Sequence, residues 1–390
     1  METFQITVKT LEGLEEVLAR EIREIGGNSV VTGNRAVHFE GDTAMIYRAN
    51  YRLRTALRVF KQIHSFRFTN MDDFYVKCMK VKWEQYMNLN DSFVIQSTVV
   101  QSELFKNSMF ASLKLKDAIA DRFRQRTGSR PNVDTADPDI IFHIHVAANS
   151  CTLSIDSSGE SLHKMGYRQS QGDAPLNEVL AAGMLLLAGW NGESDFLDPM
   201  CGSGTLPIEA ALIARNIPPG KFRKSFAFMN WKDYQSEIFE QIKEETENKD
   251  FNHHIYASDI NSSHMVSART NARNARVFNL ITFQTADLAK LELELEGALI
   301  MINPPYGERL QVKNPELLYE MVGERLKHHF TGNVAWILSS SQDYLNRIGL
   351  KPSVKIRLFN GALECSLQKY ELFEGKRKLL IRKKNNNREE

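Results

Sequence analysis

Residues 195–205 read Asp195-Phe196-Leu197-Asp198-Pro199-Met200-Cys201-Gly202-Ser203-Gly204-Thr205, and Leu206-Pro207-Ile208-Glu209-Ala210-Ala211 continue with helical spacing. A short apolar run entering a glycine turn and then a helix is a strand–turn–helix unit. Gly202 and Gly204 allow tight backbone geometry and let a ligand approach with no Cβ in the way. The helix N-terminus behind them favours a carboxylate or a phosphate. A Gly-x-Gly turn alone also serves dinucleotides and plain turns. Here Pro207 stands where a dinucleotide-binding turn would carry its third glycine. That lowers the odds of a pyrophosphate cradle and favours the smaller methionine moiety of S-adenosyl-L-methionine.

Working outward, short apolar runs at 195–197, 255–258, 281–284, 298–302 and 334–338 are each followed by a helical pattern. Alternating strands and helices predict an α/β fold with a parallel sheet covered on both faces. Runs at 354–359 and 363–373 flank Asn360-Gly361, a two-residue hairpin signal. The expected fold is a class I, Rossmann-like methyltransferase sheet closing on an antiparallel hairpin. Asp259 and Asp287 fall at the C-terminal ends of successive strands, where open α/β sheets bind ligands. A carboxylate at Asp259 can accept both ribose hydroxyls, and Asp287 can accept from an adenine amino group. Ile260 and Leu288 stand one residue beyond each acid, in position to sandwich the ring. Either acid alone could equally be a helix N-cap.

The strand 298–302 runs straight into Asn303-Pro304-Pro305-Tyr306-Gly307. Two prolines fix φ and remove two donors, so this loop offers carbonyls with few competing N–H groups. An aromatic amine is a poor nucleophile because its lone pair is delocalised into the ring. The Asn303 side-chain oxygen and the Pro304 carbonyl can accept its two hydrogens and localise that pair. Tyr306 can stack on an extruded base. No strong base is required, because the methylated ammonium is acidic.

The first 65 residues follow a β-α-β-β-α order: strands at 4–8, 29–31 and 36–39, a helix closed by Gly26-Gly27, and a second helix N-capped by Asp42. Mixed elements follow to residue 160. They comprise helices near 74–86 and 108–125, a strand at 93–99, and a hairpin of 140–147 with 151–157 around Asn149-Ser150. The net charge of +1 gives no global pull towards nucleic acid, so any basic surface must be local. Residues 43–71 hold six cations and no acid, with Arg48 and Arg52, and less ideally Arg58, able to share one helix face. Residues 106–130 hold seven cations, among them Lys114, Lys116, Arg122 and Arg126, against two acids. Both runs read as phosphate-binding surfaces. His143 and His145 alternate on a strand, but no third ligand stands at suitable spacing, and no metal site is expected. Four scattered cysteines without a CxxC pair, no secretory signal and no long apolar stretch predict a cytoplasmic chain that does not engage a membrane.

The octapeptide 198–205 together with Asn303-Pro304-Pro305-Tyr306-Gly307-Glu308-Arg309 resembles the THUMP-domain RNA guanine-N2 methyltransferases of the RlmL kind. So do Lys164-Met165-Gly166-Tyr167-Arg168, Ala174-Pro175-Leu176 and the ending 358–365. The resemblance covers nearly the whole chain. It implies a ferredoxin-like subdomain over 1–65, a THUMP RNA-binding domain over 66–160 and a methyltransferase domain over 161–384, with 385–390 as a disordered tail. It places Ala174, Pro175 and Leu176 near the methionine end of the cofactor, with Asp198, Pro199, Cys201, Gly202, Gly204, Thr205, Asp259 and Asp287 around the rest. It gives catalysis to Asn303, Pro304, Pro305 and Tyr306, counts Asn303 among the cofactor's neighbours as well, and adds Arg168 and Arg309 to the RNA-facing cations. Structured RNA is the implied partner, with 23S rRNA or its precursor favoured and tRNA as the alternative. Some relatives carry a second methyltransferase domain behind this one; a second activity is not expected here. The same loop chemistry serves adenine-N6 methylation and methylation of a glutamine amide, and the loop alone does not choose among them.

Overall fold

The computed structural model describes residues 3–168, 176–245, 248–305 and 314–374. Ala174, Pro175, Tyr306, Arg309 and the tail 385–390 lie outside these residues. The chain opens with β1 (Phe4–Lys9), α1 (Glu15–Glu24), β2 (Asn28–Gly33), β3 (Ala36–Gly41) and α2 (Thr43–Arg52). Asp42 caps α2 by accepting the Met45 amide at 2.9 Å, as its position predicted. Then come β4 (Arg58–Arg67), α3 (Met71–Lys80), β5 (Phe93–Val100), α4 (Ser108–Thr127), β6 (Ile140–Ala147) and β7 (Ser150–Asp156). The helix expected over 74–86 is shorter. It stops at Lys80, and a 3-10 turn, Trp83–Gln85, buries Trp83 with its indole donating back to the Cys78 carbonyl at 2.9 Å.

β4 was not legible from the pattern, yet it is the hinge of the first sheet, whose order is β2-β3-β1-β4-β7-β6-β5. It pairs antiparallel with β1 on one side and with β7 on the other. The expected division at 65/66 therefore falls inside a strand, and the two N-terminal regions share one sheet. They also share one core, in which Val8, Phe39, Ile46, Val59, Phe74, Leu115 and Ile144 are fully buried. Arg58, read as a companion of a helix face, instead starts β4 and pairs with the buried carboxylate of Asp156.

The remaining elements are α5 (Glu178–Leu187), β8 (Phe196–Asp198), α6 (Thr205–Ala214), α7 (Ser236–Glu244), β9 (Ile255–Asp259), α8 (Ser262–Asn274), β10 (Ile281–Thr285) and β11 (Leu299–Ile302). α9 (Pro315–His329), β12 (Val334–Ser339), α10 (Gln342–Arg347), β13 (Val354–Asn360) and β14 (Leu363–Glu371) complete the set. The second sheet runs β10-β9-β8-β11-β12-β14-β13, with β10 through β12 parallel and β14 antiparallel to both its neighbours. From β8 the chain moves outward to β9 and β10, then returns to lay β11 on the other side of β8. This reversal makes the β8/β11 boundary the topological switch point, where doubly wound sheets open a crevice at the carboxyl ends of their strands. In the closing hairpin Asn360 pairs with Leu363, so the turn is Gly361-Ala362 and Gly361 takes φ +66°. Glycine at the first central position suits a type II′ turn, one residue later than Asn360-Gly361 suggested.

The chain divides into two compact units that interleave along the sequence. The first comprises Met1–Thr10, Leu18–Lys164 and Pro218–Thr246; the second comprises Leu11–Val17, Met165–Ile217 and Glu247–Glu390. The stretch 218–246, expected within the 161–384 domain, thus belongs to the first unit. The reason is aromatic burial. Phe228 stacks on Tyr47 with centroids 4.4 Å apart, and Phe239 meets Tyr47 and Tyr51 edge-on. Arg223 donates to the carbonyls of Ser158, Glu160, Ser161 and Lys164 at 2.8–3.4 Å while lying over the Phe226 ring. Phe228→Ala removes a fully buried ring from this core. We expect urea unfolding to show a loss of about 3–5 kcal/mol. A loss below about 1 kcal/mol would mean that the stretch does not belong to the core of the first unit.

Candidate active site

Four strand ends in the second unit carry the polar groups that the sequence singled out. β8 ends at Asp198, β9 at Asp259, β10 is followed by Asp287, and β11 runs into Asn303. The glycine turn after β8 is held on the tip of β9. The Cys201 amide donates to the Ser258 carbonyl and the Gly202 amide to Asp259 Oδ2, both at 2.9 Å. Gly202 (φ +53°) and Gly204 (φ +85°) both need the left-handed region, but for different neighbours. A Cβ on Gly202 would meet open space, whereas one on Gly204 would sit 3.0 Å from the Ala268 Cβ in α8. Gly202 therefore leaves room for a ligand, and Gly204 lets α6 pack against α8.

The electrostatics of the acids differ. Asp198 is buried, accepts the Met200 amide at 3.1 Å and has no ion pair among the described residues. Burial, with a smaller contribution from the Asp259 charge, pushes its carboxyl well above the usual range. A buried carboxylate lacking a cation is a natural partner for a positively charged ligand. Asp259 is heavily used: besides the Gly202 amide, its Oδ1 accepts the Asn261 amide at 2.8 Å and faces His264 Nδ1 at 3.2 Å. A carboxylate offers roughly four acceptor sites. With two amides bound and His264 alongside, Asp259 keeps acceptor capacity for ribose hydroxyls. Asp287 is half-buried and caps the turn Leu288–Lys290 by accepting the Ala289 amide.

Of the two expected adenine neighbours, Ile260 is 70% exposed at the strand tip and free to cover a ring. Leu288 is 3% exposed and packs in a core with Ile302 and Tyr319, leaving almost no surface for a ligand. Cys201 is a buried neutral thiol whose Sγ lies 3.7 Å from Met265 Sδ, and Pro199 is also buried. Leu176 is buried and Thr205 gives its hydroxyl oxygen to Arg168 at 2.9 Å. At the end of β11, Pro304 is buried and Pro305 half-buried. Asn303 is half-buried, and its Oδ1 is buried with no hydrogen-bond partner among the described residues. An unpaired buried acceptor is costly, and this one stands at a strand tip next in the sheet to the strand that leads into the glycine turn.

The basic runs look different in three dimensions. Arg48 forks onto Glu245 at 2.8 and 3.0 Å. Arg122 forks onto Glu84 at 2.7 and 2.9 Å, and Arg126 joins the same carboxylate. Hydrogen bonds from Arg122 hold the Glu84 carboxyl down to about 2. Lys116 pairs with Asp117 at 3.0 Å. Arg52 and Lys114 have no ion pair among the described residues, and the Lys114 ammonium lies 5.6 Å from the centre of the Phe110 ring. Arg168 is half-buried in the second unit in an ion pair with Glu178, which takes it out of the RNA-facing set. His143 stacks on Phe60 at 4.5 Å and meets the Thr98 hydroxyl at 3.2 Å. Burial, then the charge of Lys9, pushes its pKa down to about 3, so it is a neutral packing residue. Sequence reading missed the α8 carboxamides: Asn271 donates to the Ser203 carbonyl at 3.1 Å and Asn274 to the Tyr167 carbonyl at 3.0 Å. Their i,i+3 spacing puts them on one helix face, a signal that surface pairs share.

With that geometry in hand, the likenesses are informative. Residues 165–369 match the RMKL-like methyltransferase domain, 68–156 the THUMP domain and 5–60 the RlmL ferredoxin-like domain. The chain is 35% identical to the Synechocystis protein slr0064, which carries an assignment as an RNA methyltransferase, over 93% of this chain and 95% of that one. It is 36% identical to the ribosomal RNA large subunit methyltransferase K/L of Psychromonas ingrahamii over 94% of this chain, and spans only 50% of that enzyme. Among solved structures, SMU.472, described as a methyltransferase and complexed with SAH, superposes with a TM-score of 0.86 at 27% identity, over 96% of this chain and 100% of that one. A Listeria monocytogenes protein described as an N6-adenine-specific DNA methylase gives 0.86 at 32% identity, over 95% and 97%. S-adenosyl-L-methionine is the cofactor, and the cation-less Asp198 and the open space at Gly202 fit it.

The two glycines separate experimentally. Gly204→Ala should lower the stability of the second unit by the same backbone strain that Gly202→Ala meets and by about 1–3 kcal/mol more through crowding against Ala268. Gly202→Ala should cost about 1–2 kcal/mol of backbone strain and chiefly weaken cofactor binding. Equal losses of stability in urea unfolding would contradict this division. Asp198 adds a pH dependence. Its raised pKa means that the free protein favours the neutral acid, whereas a cationic cofactor favours the carboxylate. Calorimetry over a series of falling pH should show affinity decreasing as the Asp198 carboxyl takes up its proton, at a pH above the usual carboxylate range. Asp198→Asn should bind weakly with a flat profile; an unchanged slope in that variant would remove Asp198 from the account.

Proposed function

On the premise that this chain belongs to the RMKL-like methyltransferase family, we propose that it methylates the exocyclic N2 of a guanine in RNA, with 23S rRNA the favoured target and tRNA the alternative. The observation that carries the acceptor chemistry is the buried Oδ1 of Asn303 at the switch point of the sheet, which has no hydrogen-bond partner among the described residues. Bound S-adenosylmethionine supplies an electrophilic methyl on a sulfonium. The chain's own contribution is to hold the amine. Asn303 Oδ1 and the Pro304 carbonyl accept its two hydrogens, which draws the lone pair out of the ring and onto nitrogen. The buried setting of these acceptors strengthens both bonds. Tyr306, in the same loop, is assigned to stack on the flipped base.

RNA as the bearer of that amine is supported by the THUMP match over 68–156 and by the ribosomal RNA specificity in the names of the K/L relatives. Arg52 and Lys114 are the cations best placed to serve phosphates, because neither forms an ion pair among the described residues, although Arg52 lies close enough to Glu245 to act on its charge. Within RNA, the choice of guanine-N2 follows the family resemblance, and the cytoplasm is the compartment in which ribosomal substrates would be met. No described helix is long and apolar enough to cross a membrane.

The test is methylation of 23S rRNA, tRNA and duplex DNA with labelled cofactor, followed by nucleoside analysis. We expect N2-methylguanosine from rRNA. N6-methyladenosine, or label in DNA alone, would replace this reading with the adenine activity in the Listeria relative's description.

A further inference from the structure

Arg168 joins three parts of the second unit that are far apart in sequence. Its side chain is only 10% exposed. Nε lies 2.9 Å from Glu178 Oε1 in the first turn of α5. Nη2 donates to the Leu176 carbonyl and to Thr205 Oγ1, each at 2.9 Å. Thr205 is the first residue of α6, directly after Gly204, and that helix start has no side-chain cap. The residue before Arg168 is gripped just as closely. The Tyr167 hydroxyl donates to the buried Glu209 of α6 at 2.7 Å, and its carbonyl accepts from Asn274 of α8. One helical turn earlier on α8, Asn271 holds the Ser203 carbonyl in the middle of the glycine turn. The glycine turn is thus braced from α8 on one side and from Arg168 on the other.

We propose that Arg168 is a positioning residue for the cofactor: it fixes the Thr205 end of the Gly202–Gly204 turn against the start of α5. The planar fork of a guanidinium suits this task, because it serves a carboxylate, a carbonyl and a hydroxyl from one rigid group. A lysine in its place carries its donors on one nitrogen and lacks the fixed, spread fork that reaches the carboxylate from Nε and the carbonyl and hydroxyl from Nη2. The inference rests on S-adenosylmethionine as cofactor and is independent of which base or nucleic acid is methylated.

The test compares Arg168→Gln, Arg168→Lys and Thr205→Val with the full chain. Calorimetry with S-adenosylhomocysteine should show Kd rising about tenfold in Arg168→Gln and remaining raised in Arg168→Lys. KM for the cofactor should rise likewise, with kcat at saturating cofactor and rRNA affinity each within about threefold of the parent. A residue that merely supported folding would not produce that split. Combining Arg168→Gln with Thr205→Val should add nothing to the loss of cofactor affinity, since both remove the same brace. Additive losses would overturn the proposal. So would a fall in rRNA affinity with cofactor affinity intact, which would return Arg168 to the RNA-facing set. If Arg168→Gln does not fold by thermal melting, Thr205→Val alone decides. It leaves the Arg168–Glu178 pair in place, and an unchanged Kd would refute the brace. Absence of RNA methylation would sink the proposed function while leaving the calorimetric result interpretable.

Discussion

The parallel pairing of β8 with β11, Phe196 opposite Leu299 and Leu197 opposite Ile300, sets the position of every group in the site. Because the chain leaves β8 towards β9 and re-enters beside β8 from the other edge, the loops after these two strands diverge and leave a crevice between them. One loop becomes the glycine turn and the other the Asn303 loop. A one-residue slip in this pairing would turn the alternating side chains over and separate Asp198 from Asn303. The sheet is built to resist such a slip: Phe196, Leu197, Ile300, Met301 and Ile302 are all fully buried.

Within that frame the site is defined by what is left incomplete. Most buried polar groups of the second unit have partners: Asn333 makes four hydrogen bonds, and Asp259 is engaged by the Gly202 and Asn261 amides and by His264. Among the described residues Asp198 has no ion pair and Asn303 Oδ1 no donor, and these two stand at the carboxyl ends of neighbouring strands, whereas others such as Ser258 Oγ and Trp336 Nε1 are also unpaired. The protein gives up stability at both positions, and groups left unsatisfied at the carboxyl edge of a sheet are where ligands are expected to complete the structure. The opposite holds for the cationic runs, where Glu84 and Glu245 neutralise three of the arginines that sequence alone would assign to phosphate.

Some of this was legible in the residues. The parallel sheet followed from short apolar strands alternating with helices, and the glycine turn and Asn303 loop were recognisable because their chemistry is local and contiguous. β4 was not, for a definite reason. Its register shifts between Gln62 and His64, so the inward-facing set changes parity and Val59-Phe60-Lys61-Gln62-Ile63 shows no clean alternation. The membership of 218–246 in the first unit was equally hidden, since it depends on Tyr47 and Phe228, 181 residues apart, becoming neighbours. Arg168 was misread because a cation beside a glycine-rich motif looks the same in sequence whether it faces RNA or Glu178. Charge pairing over such separations is a property of the fold, and the run of letters carries no trace of it.

The central claim is that Asn303 acts chiefly by holding the acceptor amine and contributes little to cofactor affinity. It is tested most directly by comparing Asn303→Ala with the parent in two measurements on the same preparation: calorimetric binding of S-adenosylhomocysteine and single-turnover methylation of rRNA. The account predicts a Kd within about twofold of the parent and a methylation rate lower by about 10²-fold or more. A variant that loses cofactor affinity in proportion to its rate, or one that methylates at the parental rate, would contradict it.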